Sequence, residues 1–131
     1  MKRAIIIVDH GSRRAEANAQ LEVVAERLRE RLPDRLIVTA HLEIAEPNIA
    51  QAIATCAAQD ATEIIIHPFF LAPGRHTSHD IPTQVRAAAG SHPKIRIVIS
   101  ETLGLHPALI DVIVDRVHDA IDASLVSEGV G

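Results

Sequence analysis

The sequence predicts an α/β domain: a single open parallel four-stranded sheet, order 2-1-3-4, with helices on both faces. Two observations lead there. Short apolar runs recur along the chain, and Ala4–Val8 and Ile64–Ile66 are apolar at every position, as in strands buried on both faces. Segments with helical spacing alternate with these runs, so βα units follow one another in the order that builds a parallel sheet. Right-handed crossovers then leave few strand orders, of which 2-1-3-4 is the usual one.

The first strand, Ala4 to Val8, ends at Asp9-His10-Gly11-Ser12, where Gly11 permits a tight turn. A helix follows to about Leu32, with Ala17, Leu21, Val24, Ala25, Leu28 and Leu32 on one face. Pro33-Asp34 breaks it, and a second strand runs from Leu36 to about Leu42. Glu46-Pro47-Asn48 starts the next helix, with Pro47 suited to its first turn and Ile49, Ala52, Ile53 and Cys56 buried. The third strand is Glu63 to about His67. The loop after it holds both phenylalanines of the chain, Phe69 and Phe70, then Leu71, Pro73-Gly74 and the polar run Arg75-His76-Thr77-Ser78-His79-Asp80. A helix is expected from near Pro82, with Thr77-x-x-Asp80 as an earlier capping turn in competition. Lys94 to Ile99 is the fourth strand. Leu105-His106-Pro107 leads into a last helix whose Leu109, Ile110, Ile113, Val114, Val117 and Ile121 are expected to face inward. Residues 127–131 read as a frayed tail, and residues 1–131 as a single domain with no linker.

Composition narrows the function classes. Hydrophobic residues make up 47% and charged residues 23%, a globular balance. The net charge of −4 with His neutral offers no basic excess for nucleic acid. Apolar runs are strand-sized, so no membrane span is expected. Met1-Lys2-Arg3 begins like a leader, but Asp9, His10 and Arg13 interrupt it too soon. The single Cys56 forms no internal disulfide, which fits a cytoplasmic location.

In such a sheet ligands bind beyond the carboxyl ends of the strands. His10 lies just past the first strand, Glu43 just past the second, and His76 in the loop after the third. Two imidazoles and a carboxylate on adjacent strand ends suit a divalent transition metal. Each has a plainer role open to it: His10 as a turn residue, Glu43 as a charge at a helix start, His76 as a solvated loop side chain. Arg13, Arg14 and Arg75 flank the histidines and suit an anionic ligand, or else a solvated helix start. His79 is a spare candidate; His41 and His67 read as structural, and His92, His106 and His118 as exposed.

Four separated motifs, DHGSRR at 9–14, LEIAEPNI at 42–49, PFFLAPGRH at 68–76 with DIP at 80–82, and LGLHP at 103–107, resemble the short single-domain sirohydrochlorin chelatases. The resemblance runs in order over nearly the whole chain. It implies one lobe of the class II chelatase fold, and insertion of Fe2+ or Co2+ into sirohydrochlorin, the metal being a substrate and no cofactor permanently bound. It carries the metal-site and catalytic roles onto His10, His76 and Glu43. Removing two pyrrole protons needs a proton acceptor, which neutral imidazole supplies. Arg13, Arg14 and Arg75 could meet the macrocycle's carboxylates, and Phe69, Phe70 or Leu71 its apolar face. Larger relatives have two lobes, so a homodimer is implied. DHGSRR is most like the ferrochelatases of plants, but their additional C-terminal cysteines for an iron–sulfur cluster are absent, and no cluster is carried over. Two other classes compete: a non-catalytic metal or tetrapyrrole carrier, and a histidine-type phosphatase. The latter place arginine before the histidine, whereas here Asp9 precedes His10 and would repel phosphate.

Overall fold

Strands β1 (Arg3–Asp9), β2 (Leu36–His41), β3 (Glu63–Pro68) and β4 (Arg96–Ile99) pair as one parallel sheet, in the order β2-β1-β3-β4. This is the expected topology. The computed structural model describes residues 2–123, with the backbone alone at His76. The tail expected to fray, 127–131, lies outside the described residues.

Alternation along the strands sends side chains to two faces. Ala4, Ile6, Val8, Ile64 and Ile66 turn toward α2 (Ile49–Ala58) and α3 (Ile81–Ala89), where Ile49, Ile53, Cys56, Ile81 and Val85 complete the larger core. Ile7 and Ile37 turn the other way, under Leu21 and Ala25 of α1 (Ala15–Arg31). Full burial of each isoleucine stabilises the fold by about 1.5–3 kcal/mol, so the β1 and β3 runs are its main anchor.

Helix boundaries follow local chemistry. Leu32 lies beyond α1, its N–H donating to the Leu28 carbonyl, and its side chain is exposed rather than part of the buried face. α2 starts two residues later than Pro47 suggested, at Ile49: Asn48 is its cap, and its side chain and that of Gln51 satisfy each other's backbone N–H at 2.8 Å each. Pro47 therefore precedes the cap, after a cis peptide bond from Glu46. α3 takes Pro82 into its first turn, where the missing N–H costs nothing. A π-helical turn, His76–Asp80, leads into it. β4 starts at Arg96 because the Ile95 N–H is used in a turn to the His92 carbonyl.

The last helix corrects the sequence reading. α4 (Pro107–Asp122) forms where expected, with His106 as its cap through Nδ1. Yet its apolar residues do not face inward: Ile113 is 57% and Ile121 67% exposed, and no residue of α4 is buried. The topology explains this. α4 follows the edge strand β4, and among the described residues no further strand follows it whose crossover would press it onto the sheet.

The outer edge of β2 is closed by a side chain. The Arg29 guanidinium donates to the Ile37 carbonyl from Nε at 3.2 Å and Nη2 at 2.7 Å, while Nη1 pairs with Glu22 at 2.7 Å.

Candidate metal and substrate site

The parallel ladder between β1 and β2 continues past both strands. Asp9 is in register with His41, the Leu42 N–H donates to the Asp9 carbonyl at 2.8 Å, and the Glu43 N–H donates to the His10 carbonyl at 3.1 Å. Glu43 is thereby brought beside His10, with Oε1 2.9 Å from the imidazole Nε2. Nδ1 of His10 donates to the Gly11 carbonyl at 3.2 Å, an arrangement that turns Nε2 toward Glu43. Both side chains are about half exposed, so a solvated cation can reach them.

Three features hold this arrangement. Gly11 has φ +94°, and a Cβ there would lie 1.9 Å from the Glu43 carbonyl oxygen, so the two loops meet backbone to backbone. Beyond Glu43 the chain reverses in a γ-turn, with the Ala45 N–H donating to the Glu43 carbonyl at 2.8 Å and Ile44 at φ 74°. Gln84 of α3 donates its side-chain N–H to the Leu42 carbonyl at 3.1 Å, tying a helix to the rim.

Below the rim, the Asp9 carboxylate accepts from buried His41 Nδ1 at 2.5 Å. His41 is structural, as expected, and Asp9 is occupied by it. Sequence reading missed this pair because it requires the register of two strands separated by a helix. His67 is also structural, with Nδ1 2.9 Å from the Ser100 hydroxyl. Burial lowers its pKa below the usual 6.5, against a smaller raising effect of the Glu101 backbone. Burial likewise pushes the Cys56 thiol up to about 11, which keeps it protonated and unavailable as a ligand.

The other candidates are distributed along the same rim. The backbone of His76 opens the π-helical turn after β3, while its side chain lies outside the described residues. Arg75 precedes it and is exposed, as is Arg13. Arg14 is exposed but bonded to Glu16 at 2.8 and 3.0 Å at the start of α1. Phe69 packs partly against the α1-side core and Phe70 against the opposite core, so the two aromatics straddle the sheet. Leu71, 69% exposed, instead lines a cavity of about 900 Å³ between the loops after β3 and β4. Pro73, Thr77, Ile99, Leu103 and His106 also border it. His79, the spare candidate of the sequence, borders a smaller hollow of about 310 Å³ with Glu43, Asp80 and Gln84. Among the described residues, no group of three or more His, Cys, Asp or Glu is arranged to hold a metal ion. His10 and Glu43 form a pair to which other donors must be added.

The CbiX family profile matches residues 4–120. The chain belongs to the CbiX family. This CbiX chain is 42% identical over 117 residues to the chloroplastic sirohydrochlorin ferrochelatase of Arabidopsis thaliana, covering 89% of this chain and 52% of that protein. It is 32% identical over 135 residues to the sirohydrochlorin cobaltochelatase of Methanothermobacter thermautotrophicus, covering 92% of this chain and 94% of that protein. Among solved structures it resembles SirB from Bacillus subtilis with Fe3+, at a TM-score of 0.85 and 29% identity, over 91% of this chain and 47% of that one. A CbiX protein from Marinobacter aquaeolei VT8 matches at a TM-score of 0.80 and 28% identity, over 92% of this chain and 98% of that one. The chain thus spans about half the length of the first curated relatives it matches, and nearly all of others. The fold expected from the four motifs is that of these neighbours.

Proposed function

We propose that this CbiX chain is a sirohydrochlorin chelatase, inserting a divalent metal into the tetrapyrrole and working as a homodimer. The observation that carries this reading is the 2.9 Å contact between His10 Nε2 and Glu43 Oε1 at adjacent strand ends. Metal–nitrogen and metal–oxygen bonds of about 2.1 Å meeting near a right angle put two donors about 3 Å apart. The pair is therefore already spaced to grip one cation, and the Gly11 carbonyl orients the imidazole. In this proposal His76, on the loop facing the same rim, completes the ligand set.

The chemistry follows from proton balance. M²⁺ enters and two pyrrole N–H protons leave, so charge is conserved at the macrocycle. A proton held between His10 and Glu43 must leave before the cation binds, and the freed carboxylate and imidazole are then the nearest bases as the metal passes to the pyrrole nitrogens. The apolar cavity beside Leu71 is of a size that accommodates a small-molecule substrate, with Arg13 and Arg75 exposed on the same rim to meet carboxylates. Relatives are named for iron and for cobalt, and SirB has been solved with each. Either ion is accordingly a candidate metal substrate here, and a comparison of Fe2+, Co2+ and Ni2+ decides among them.

The test is turnover of sirohydrochlorin with each metal in wild type, His10→Ala, His76→Ala and Glu43→Gln. The histidine variants are expected to lose nearly all insertion and the Glu43 variant to retain some. Wild-type rates in His10→Ala and His76→Ala would remove the site, and binding of metal and tetrapyrrole without turnover would make the chain a carrier. Replacing Arg13, Arg14 and Arg75 with Gln is expected to raise KM and weaken its salt dependence.

A further inference from the structure

α3 carries one polar side chain where its pattern calls for an apolar one. Ile81, Gln84, Val85 and Ala88 have the spacing of a single helix side, the side that faces the larger core. Ile81 and Val85 are buried in that core, and Ala88 packs against it. Gln84 is half-buried among them and donates from Nε2 to the Leu42 carbonyl at 3.1 Å.

That bond lands on one particular peptide unit. The carbonyl of Leu42 and the N–H of Glu43 belong to the same planar group and point in opposite directions. The N–H is held by the His10 carbonyl at 3.1 Å, and the carbonyl by Gln84. With both ends taken, the plane resists rotation, and the Glu43 side chain departs from it in a fixed direction. Leu42 is itself buried, and its own N–H is bonded to the Asp9 carbonyl at 2.8 Å. The helix that supplies the clamp continues the π-helical turn His76–Asp80, and the Thr83 hydroxyl ties the two together by donating to the His79 carbonyl at 2.7 Å. Gln84 therefore joins the rim segment bearing Glu43 to the element that opens with the His76 backbone.

We propose that Gln84 is a positioning residue of the site: it fixes the peptide that carries Glu43, and so holds the carboxylate against His10 Nε2 and at a set distance from the turn beginning at His76. This inference rests on the reading of His10 and Glu43 as metal donors. A neighbour that orients a ligand in this way contributes about 10–100-fold to metal affinity. Its weight in folding is smaller, because the hollow between Leu42 and Gln84 lets water reach a Leu42 carbonyl left without its partner.

The experiment uses the whole metal-free chain and Co2+ alone. Gln84→Met keeps the volume and removes the donor. Co2+ affinity is read by calorimetric titration, and the Glu43 N–H by amide hydrogen exchange. Gln84→Met is expected to weaken Co2+ binding by about tenfold or more in the otherwise wild-type chain. In a Glu43→Gln background it is expected to cost less than about twofold, because no carboxylate remains to be positioned. Exchange at the Glu43 N–H is expected to quicken by about three- to tenfold, the weight of one hydrogen bond, with β1 and β3 amides unchanged. A fold that is merely softened would weaken Co2+ binding equally in both backgrounds, and that result overturns the proposal. Glu43 exchange unaltered by Gln84→Met overturns it too. If Glu43→Gln alone leaves Co2+ binding unchanged, the metal reading falls, and the exchange measurement still decides whether Gln84 clamps the peptide.

Discussion

Gly11→Ala should damage the site and the fold together, and the structure says by how much. The added methyl would stand 1.9 Å from the Glu43 carbonyl oxygen and 3.1 Å from its carbon. To restore ordinary contact at about 3.5 Å, the Glu43 backbone must retreat by roughly 1.5 Å. That movement breaks the 3.1 Å bond from the Glu43 N–H to His10 and opens the 2.9 Å side-chain pair. Alanine at φ +94° adds a conformational cost of about 1–2 kcal/mol, and forcing the loops apart about 1–3 kcal/mol more. Urea unfolding should therefore show a loss of about 2–5 kcal/mol. If the proposed chelation is right, insertion should fall about a hundredfold in protein that remains folded, because a displacement of ~1 Å at a reacting centre has that effect. Gly74→Ala is the control, since nothing lies within 4 Å of its Cβ; it should leave both measurements near wild type. A Gly11→Ala protein with the wild-type unfolding midpoint and wild-type turnover would refute the close approach of the two loops.

Three further outcomes follow from buried or strained groups. His67 binds a proton less readily when folded than its usual 6.5, so protonation favours the unfolded chain. Stability should be unaffected well above that pH and should decline as pH falls below it; His67→Asn, followed by thermal melts across a pH series, should decline less. Cys56, raised to about 11 by burial, should resist iodoacetamide at pH 8 in the folded protein and react once urea unfolds it. Rapid labelling without unfolding would contradict its burial. Ile44 is β-branched at φ 74° and 58% exposed, so little packing offsets its strain. Ile44→Asn, which tolerates that conformation, should raise unfolding free energy by roughly 1 kcal/mol. A loss of stability would show instead that the isoleucine side chain is held by contacts.

The parts of this fold that could be read in the sequence are those decided by local pattern. Ile5, Ile6 and Ile7 leave no polar face, which only a strand covered on both sides tolerates, and the structure covers both. The approach of His10 and Glu43 was legible for a related reason: parallel neighbours in register end together, so residues just past each end meet. What could not be read depends on partners distant in the chain. The α4 stripe announces an apolar face but not what lies against it, and assigning it inward assumed that every helix returns to the sheet. The Asp9–His41 pair and the contact at Gly11 needed the register before either could be seen. Pro47 was placed in the first turn of α2, two positions too far in, because Asn48, with Gln51 three residues on, is the stronger start signal.

Arg29 has a consequence for how molecules of this protein can meet. A sheet ends in strands whose outward carbonyls invite another strand, and β2 is such an edge. By spending two N–H groups on the Ile37 carbonyl while Glu22 steadies its third nitrogen, Arg29 plugs that edge with a positive charge. A second copy approaching β2 edge to edge therefore finds the Ile37 carbonyl already taken and must displace Arg29 to pair there. Arg29→Ala would unplug it, and the symptom should be slow, concentration-dependent strand-on-strand clumping during storage, in a protein whose individual copies remain folded.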